Sequence, residues 1–230
     1  RANLLPPTCV VTPEEFLQAR HVVCEPCLKG KNTRDSRPPS KTVVPHPCHI
    51  LHADVLTLNE LDVNGHKYCL CVVDGKTAKC VVHLLKDKSD VKLVFPDIVA
   101  MFERQGGHPV LRVRTDRGGE FMNAELQQYF RAMGILYEHT AGHSSESNGV
   151  AERMNRTLMD KARTMVKAAS VPTNWWGYAL IMANQLHNWI PVSTKHTRSS
   201  PDEAFHGVTP NLSYLQPFGA VAYVHVPTAL

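Results

Sequence analysis

No stretch of this 230-residue chain approaches the ~18 consecutive apolar residues of a membrane-spanning helix. No secretory signal opens it, because Arg1 to Val11 is too short and too broken by proline. Internal repeats and low-complexity tracts are absent. The thirteen histidines form no His-Glu-x-x-His or similar metal motif. The seven cysteines are odd in number and lack the rhythm of a disulfide framework, which points to thiols kept in a reducing interior. The chain also starts abruptly and without Met, so a fragment of a longer polypeptide is expected.

What is present suits a folded globular protein. The apolar fraction of 43% is ordinary, and the length fits one domain of about 150 residues plus appendages. The formal charge of +4 is mildly basic, which permits nucleic-acid binding without requiring it. The basic residues are uneven. Lys29, Lys31, Arg34, Arg37 and Lys41 gather near the start, and Arg153, Arg156, Lys161, Arg163 and Lys167 line one helical stretch.

Residues 31–47 are rich in Lys, Arg, Ser and Pro and read as a linker. After it, strands are expected at 49–56, 66–73, 79–85, 110–115 and 135–139. Helices are expected at 89–105, capped by Ser89 and stopped by Gly106-Gly107, and at 123–133, capped by Asn123 and ended by Gly134. Two longer helices cover 148–169 and 173–190, split by Val171-Pro172. A short helix at 201–206 and a strand at 219–226 close the chain. The order β-β-β-α-β-α-β-α implies a mixed five-stranded sheet, with a meander first and helical crossovers after it.

Three acids carry most of the chemistry. Asp54 lies in the apolar run His49 to Leu56, Asp116 ends the run from Val110, and Glu152 opens a long helical pattern. Two strand-end aspartates and a helix glutamate can converge and offer oxygen ligands to a pair of hard cations, which suits phosphoryl transfer. Taken singly, each acid is as readily a loop residue, a helix cap or a helix-dipole partner. The triad has a spacing that adds information, because 35 residues separate Asp116 from Glu152.

With Asp54 upstream, that spacing resembles the integrase catalytic core of retroviruses and LTR retrotransposons, the copia-like (Ty1/copia) group above all. The resemblance runs from about Cys24 to Val226. It rests on Thr115-Asp116-Arg117-Gly118-Gly119-Glu120-Phe121, Asn148-Gly149-Val150-Ala151-Glu152-Arg153, Asn155-Arg156-Thr157-Leu158, Ala162-Arg163-Thr164-Met165, Ser200 to Phe205, and Phe218 to Val224. It implies an α/β, ribonuclease H-like fold and DNA integration: 3′-end processing of element DNA, then strand transfer into target DNA. It further implies Asp54, Asp116 and Glu152 as ligands of Mg²⁺ or Mn²⁺, double-stranded DNA as partner, a homo-oligomer, and action in the nucleus after a cytoplasmic particle stage.

Cys24-x2-Cys27 has the spacing of half a zinc knuckle. By resemblance, residues 1–30 are the remnant of a His-His-Cys-Cys domain, holding Zn²⁺ only in the longer parent chain. Residues 31–47 are then the linker, 48–210 the catalytic core and 211–230 an extension with a short strand. Asn148, Asn155, Arg156 and Arg163 are the DNA-contact candidates, against the plainer alternative of a solvated helix face. Asp74 with Gly75 reads as a hairpin turn in preference to a fourth ligand. Cys69, Cys71 and Cys80 read as buried free thiols, and Trp175, Trp176, Leu180, Ala183, Leu186 and Ile190 as an apolar core stripe.

Two positions depart from the family pattern. Arg117 stands where Asn is usual, and Glu146 lies in a loop that usually reads Pro-Gln-Gln-Asn-Gly. They keep open a second function, that of a catalytically silent integrase derivative that binds DNA or protein. A ribonuclease H is a third, which the Asn148 to Arg153 and Phe218 to Val224 pieces argue against.

Overall fold

The computed structural model of the protein describes residues 43–116, 118–139, 148–192 and 199–222. Cys24, Cys27, Arg117 and Glu146 lie outside them, as does most of the 31–47 segment.

Three strands come first, β1 (Ile50–Thr57), β2 (Tyr68–Asp74) and β3 (Cys80–Leu85), and they pair antiparallel. Helix α1 (Val91–Gly106) then crosses to β4 (Arg112–Thr115), and α2 (Ala124–Ala132) crosses to β5 (Leu136–His139). Both later strands run parallel to β1, giving the order β3-β2-β1-β4-β5. Helices α3 (Gly149–Ala168), α4 (Trp176–Trp189) and α5 (Pro201–His206) follow. The mixed five-stranded sheet is therefore the one expected.

The alternation of side chains along the strands sorts two cores. Leu51, Ala53, Leu70, Val72 and Val113 point to one face, where Phe95 and Phe102 of α1 and Leu126 and Phe130 of α2 cover them. Cys69, Cys71, Val73 and Cys80 point to the other, under Leu158 and Ala162 of α3 and Trp176, Leu180 and Ala183 of α4. The three thiols are buried and free, as expected. Phe95 meets Phe121 and Phe130 edge-on, with ring centroids 6.0 and 5.7 Å apart, the orientation that aromatic quadrupoles favour.

Several details differ from the sequence expectation. Ser89 caps nothing with its side chain. Asp87 caps a single 3₁₀ turn at Lys88–Asp90 instead, accepting from the Ser89 amide, and α1 begins at Val91. The reason is local: Asp87 and Asp90 form a reciprocal capping box that Ser89, lying inside it, cannot form. Residues 219–222 form a turn and coil with Val221 exposed, not the start of a strand, and 223–226 lie outside the described residues. On α4 only part of the expected stripe is core, since Trp175 and Ile190 are exposed while Trp176, Leu180 and Ala183 are buried.

Two glycines are required by their positions. Gly107 ends α1 in the left-handed region at φ 68°, where its amide reaches the Glu103 carbonyl. At Gly75 a Cβ would stand 2.6 Å from Ile50 Cγ2, so only glycine lets the β2–β3 turn lie against β1. The Asn123 cap of α2 is as expected, its side chain accepting from the Leu126 amide at 2.8 Å. Asn123→Ala should lower the unfolding free energy by about 1 kcal/mol, checked by urea titration.

Candidate active site

The parallel pairing of β1 with β4 brings the first two acids together. Ala53 is in register with Thr115, so Asp54, inside β1 and still paired with Cys71 of β2, stands beside Asp116, the first residue past the end of β4. Asp54 accepts the Val55 amide on Oδ1 at 3.0 Å and the Asn155 side-chain amide on Oδ2 at 2.7 Å. Asp116 accepts the Gly118 amide on Oδ1 at 2.9 Å, which turns the chain sharply away from the strand.

Glu152 arrives from α3, and two amides fix that helix to β1. Asn148, at the helix start, donates to the Ala53 carbonyl at 2.9 Å. Asn155 donates to Asp54, as above. Residues 148, 152 and 155 share one helix face, so Glu152 stands between the two attachments. It is itself exposed, in the first turn of α3.

The electrostatics record this convergence. Burial, and next the Asp116 charge, push the Asp54 carboxyl up to about 6. The Val55 amide and Asn155 pull the other way, and Glu152 adds a smaller upward push. Among the described residues, no three His, Cys, Asp or Glu side chains are set to hold a metal ion as they stand. The chemistry of the donors still fits a hard cation. They are carboxylate oxygens, and the mutual repulsion at Asp54 is what a cation relieves.

The other candidates fall into two groups. Asn148 and Asn155, at 1% and 3% exposure, are buried, and their amides act inside the fold on Ala53 and Asp54. In the DNA-free structure both amides therefore position α3 and Asp54. Spacing puts Asn155 one helical turn after Glu152, but the packing of α3 on the sheet alone decides that it turns toward Asp54. Arg156 and Arg163 lie on the exposed side of α3, and Arg163 pairs with Asp160 at 3.2 Å. Asp74 is buried at the end of β2, and its carboxylate accepts the Thr77 amide and hydroxyl, both at 2.7 Å. It is a turn residue, as expected.

Comparison with known proteins agrees with this geometry. Residues 44–145 match the integrase core domain family. The retrovirus-related Pol polyprotein from transposon TNT 1-94 of Nicotiana tabacum is 35% identical over 205 residues, which is 89% of this chain and 15% of that protein. The corresponding polyprotein from transposon RE1 of Arabidopsis thaliana is 29% identical over 200 residues, 87% of this chain and 13% of that protein. The chain thus spans only about a seventh of the curated relatives it matches. Among solved structures, the HTLV-2 integrase catalytic core domain in complex with magnesium superposes with a TM-score of 0.53 at 19% identity, covering 70% of this chain and 99% of that one. A simian T-cell lymphotropic virus intasome in complex with PP2A regulatory subunit B56 gamma gives 0.59 at 20% identity, covering 95% and 74%. At such identities these two speak for the shared fold alone.

Proposed function

We propose that this chain carries a copia-like integrase catalytic core and that it cuts and joins DNA in two in-line displacements at one site. Water first cleaves a phosphodiester near the 3′ end of element DNA, and the freed 3′-hydroxyl then attacks a phosphodiester of target DNA. Each step forms one P–O bond and breaks another, so no oxidant or further co-reactant enters. The observation that carries this reading is the side-by-side placement of Asp54 and Asp116 on parallel strands, with Glu152 on a helix attached to the same strand.

Asp54, Asp116 and Glu152 would hold Mg²⁺ or Mn²⁺. When bound, such cations activate the attacking oxygen and stabilise the leaving one. Asn155 fixes the orientation of the Asp54 carboxylate, and the Gly118 amide fixes that of Asp116. Arg156 and Arg163, exposed on the helix that bears Glu152, are placed to take DNA phosphates. The partners are element-end and target duplexes and further copies of this chain, and the site of action is the nucleus. Cys24 and Cys27 would hold Zn²⁺ only with two ligands from a longer parent chain.

The test is a strand-transfer assay with a labelled element-end duplex and a target duplex. Joined product should form with Mn²⁺ or Mg²⁺ and vanish with a chelator. It should also vanish with Glu152→Gln, whose fold a melting curve verifies. A wild-type chain that binds duplex yet joins no more ends than Glu152→Gln would be the silent derivative instead.

A further inference from the structure

Helices α3 and α4 pack on the β1, β2 and β3 half of one sheet face. On the β4–β5 half of that face, charged residues take the place of apolar ones. Arg114 is in register with Glu138, and Arg112 lies two residues earlier on the same side of β4. Glu138 accepts Arg114 Nε and Nη2 on Oε2, at 3.0 and 2.6 Å, and Arg112 Nη1 on Oε1, at 3.1 Å. All three side chains reach solvent, Arg112 most, at 39% exposure.

A cross-strand ladder that served only the sheet would need one arginine for one carboxylate. Here two guanidiniums, which stay charged at every working pH, converge on a single carboxylate, and one positive charge remains in excess. The donors form a fork aimed at two oxygens of one anion, a geometry that a phosphodiester with its two anionic oxygens also satisfies. The location suits a nucleic acid as well. Same-face residues on a strand repeat about every 6.6 Å, so Arg114 and Arg112 stand one and two such steps back from Asp116.

We propose that Arg112 and Arg114 form a seat for a backbone phosphate of duplex DNA beside the catalytic acids, and that Glu138 occupies this seat in the DNA-free protein. The inference rests on the DNA-joining reading above. It adds a binding element on β4, on strands rather than on the α3 helix, and gives Glu138 the part of an internal competitor that lowers DNA affinity.

Three variants test it, with fluorescently labelled duplex DNA titrated at several salt concentrations in the presence of a chelator. The double variant Arg112→Gln/Arg114→Gln should bind several-fold more weakly, with the salt slope reduced by about 1, the share of one phosphate contact. Glu138→Gln should bind about three-fold or more tightly, with the salt slope undiminished, because it frees the seat. Glu125→Gln makes the same charge change at an exposed glutamate on α2, where the partner is Lys92, and should leave binding unchanged. Melting curves verify that each variant is folded. A sheet-stabilising ladder alone would shift those curves and leave DNA affinity at the wild-type value, which would overturn the proposal. Equal tightening by Glu125→Gln and Glu138→Gln would overturn it too, by reducing the effect to net charge. Wild-type protein that binds no duplex would instead sink the functional reading and this inference together.

Discussion

Asp54→Asn should abolish DNA joining and at the same time make the metal-free protein more stable. The loss of activity should reach about a thousand-fold or more, the scale of several kcal/mol of transition-state stabilisation. The gain in stability follows from the burial of the carboxylate and next from the Asp116 charge beside it. In the folded protein the Asp54 carboxyl is pushed up to about 6, against about 3.9 in an unfolded chain. Between those values the folded state holds more protons than the unfolded one. Stability therefore falls as pH rises from about 4 through 6 and is level above that. After discounting for partial solvent screening, the penalty at neutral pH is about 1–2 kcal/mol.

The asparagine removes that penalty and keeps the local bonding. Its Oδ1 can still accept the Val55 amide. Its new NH₂ would face the Asn155 NH₂, but the Asn155 amide oxygen is buried with no hydrogen-bond partner among the described residues, so a flip of that amide restores the bond. Urea titrations of both proteins in chelator, at pH 4 and pH 7, check this. The variant should exceed wild type at pH 7 only. A variant less stable than wild type at pH 7, or a difference independent of pH, would show that neither burial nor the neighbouring acids penalise the Asp54 carboxylate there. Added Mg²⁺ should raise the wild-type melting temperature and leave that of the variant nearly unmoved.

Much of this architecture can be read in the residues, for identifiable reasons. The strands are short apolar runs bounded by polar turns, and their order in the chain restricts the sheet to a meander followed by crossovers. Asp116 is legible because it closes an apolar run, at a strand end where a sheet presents polar groups, and Asp54 because it is the one acid inside an apolar run; the structure places Asp54 mid-strand in β1, not at a strand end. Asp74-Gly75 is legible as a turn because few other dipeptides tolerate that conformation so well. What escapes such reading depends on tertiary contact. An asparagine after Glu152 gives no sign of whether it faces DNA or Asp54 until the helix is laid on the sheet. The Arg112–Glu138–Arg114 convergence requires the β4–β5 register, which spacing does not supply. The alternating pattern at 219–226 suggests a strand, yet a strand needs an edge to join, and residues 219–222 join none.

Asp74→Ala should lower the unfolding free energy by about 3–5 kcal/mol, although Asp74 lies outside the catalytic acids. Its carboxylate is 1% exposed and accepts four bonds. Oδ1 takes the Cys48 amide at 2.8 Å, and Oδ2 takes the Thr77 amide and hydroxyl at 2.7 Å each and the Lys76 amide at 3.1 Å. One side chain thus joins the entry to β1, the end of β2 and the turn into β3. Alanine would leave the Cys48 and Thr77 amides buried without partners, at roughly 1–3 kcal/mol each, and bonds to a charged acceptor lie at the upper end. Cys48 adds to the effect because it holds a left-handed backbone at φ 65°, a conformation that a non-glycine residue keeps only while its surroundings enforce it. Thr77→Val keeps the shape and removes one of the four bonds, together with the longer bond at 3.2 Å that the Thr77 hydroxyl accepts from the Lys79 amide, and should lose only about 1–2 kcal/mol. Urea titration of both variants measures the contrast. A loss below about 1 kcal/mol for Asp74→Ala would mean that the turn rearranges to satisfy its own amides. Since β1 begins two residues after Cys48 and carries Asp54 four residues further on, the same variant should also weaken DNA joining at temperatures near its melting point and recover it on cooling.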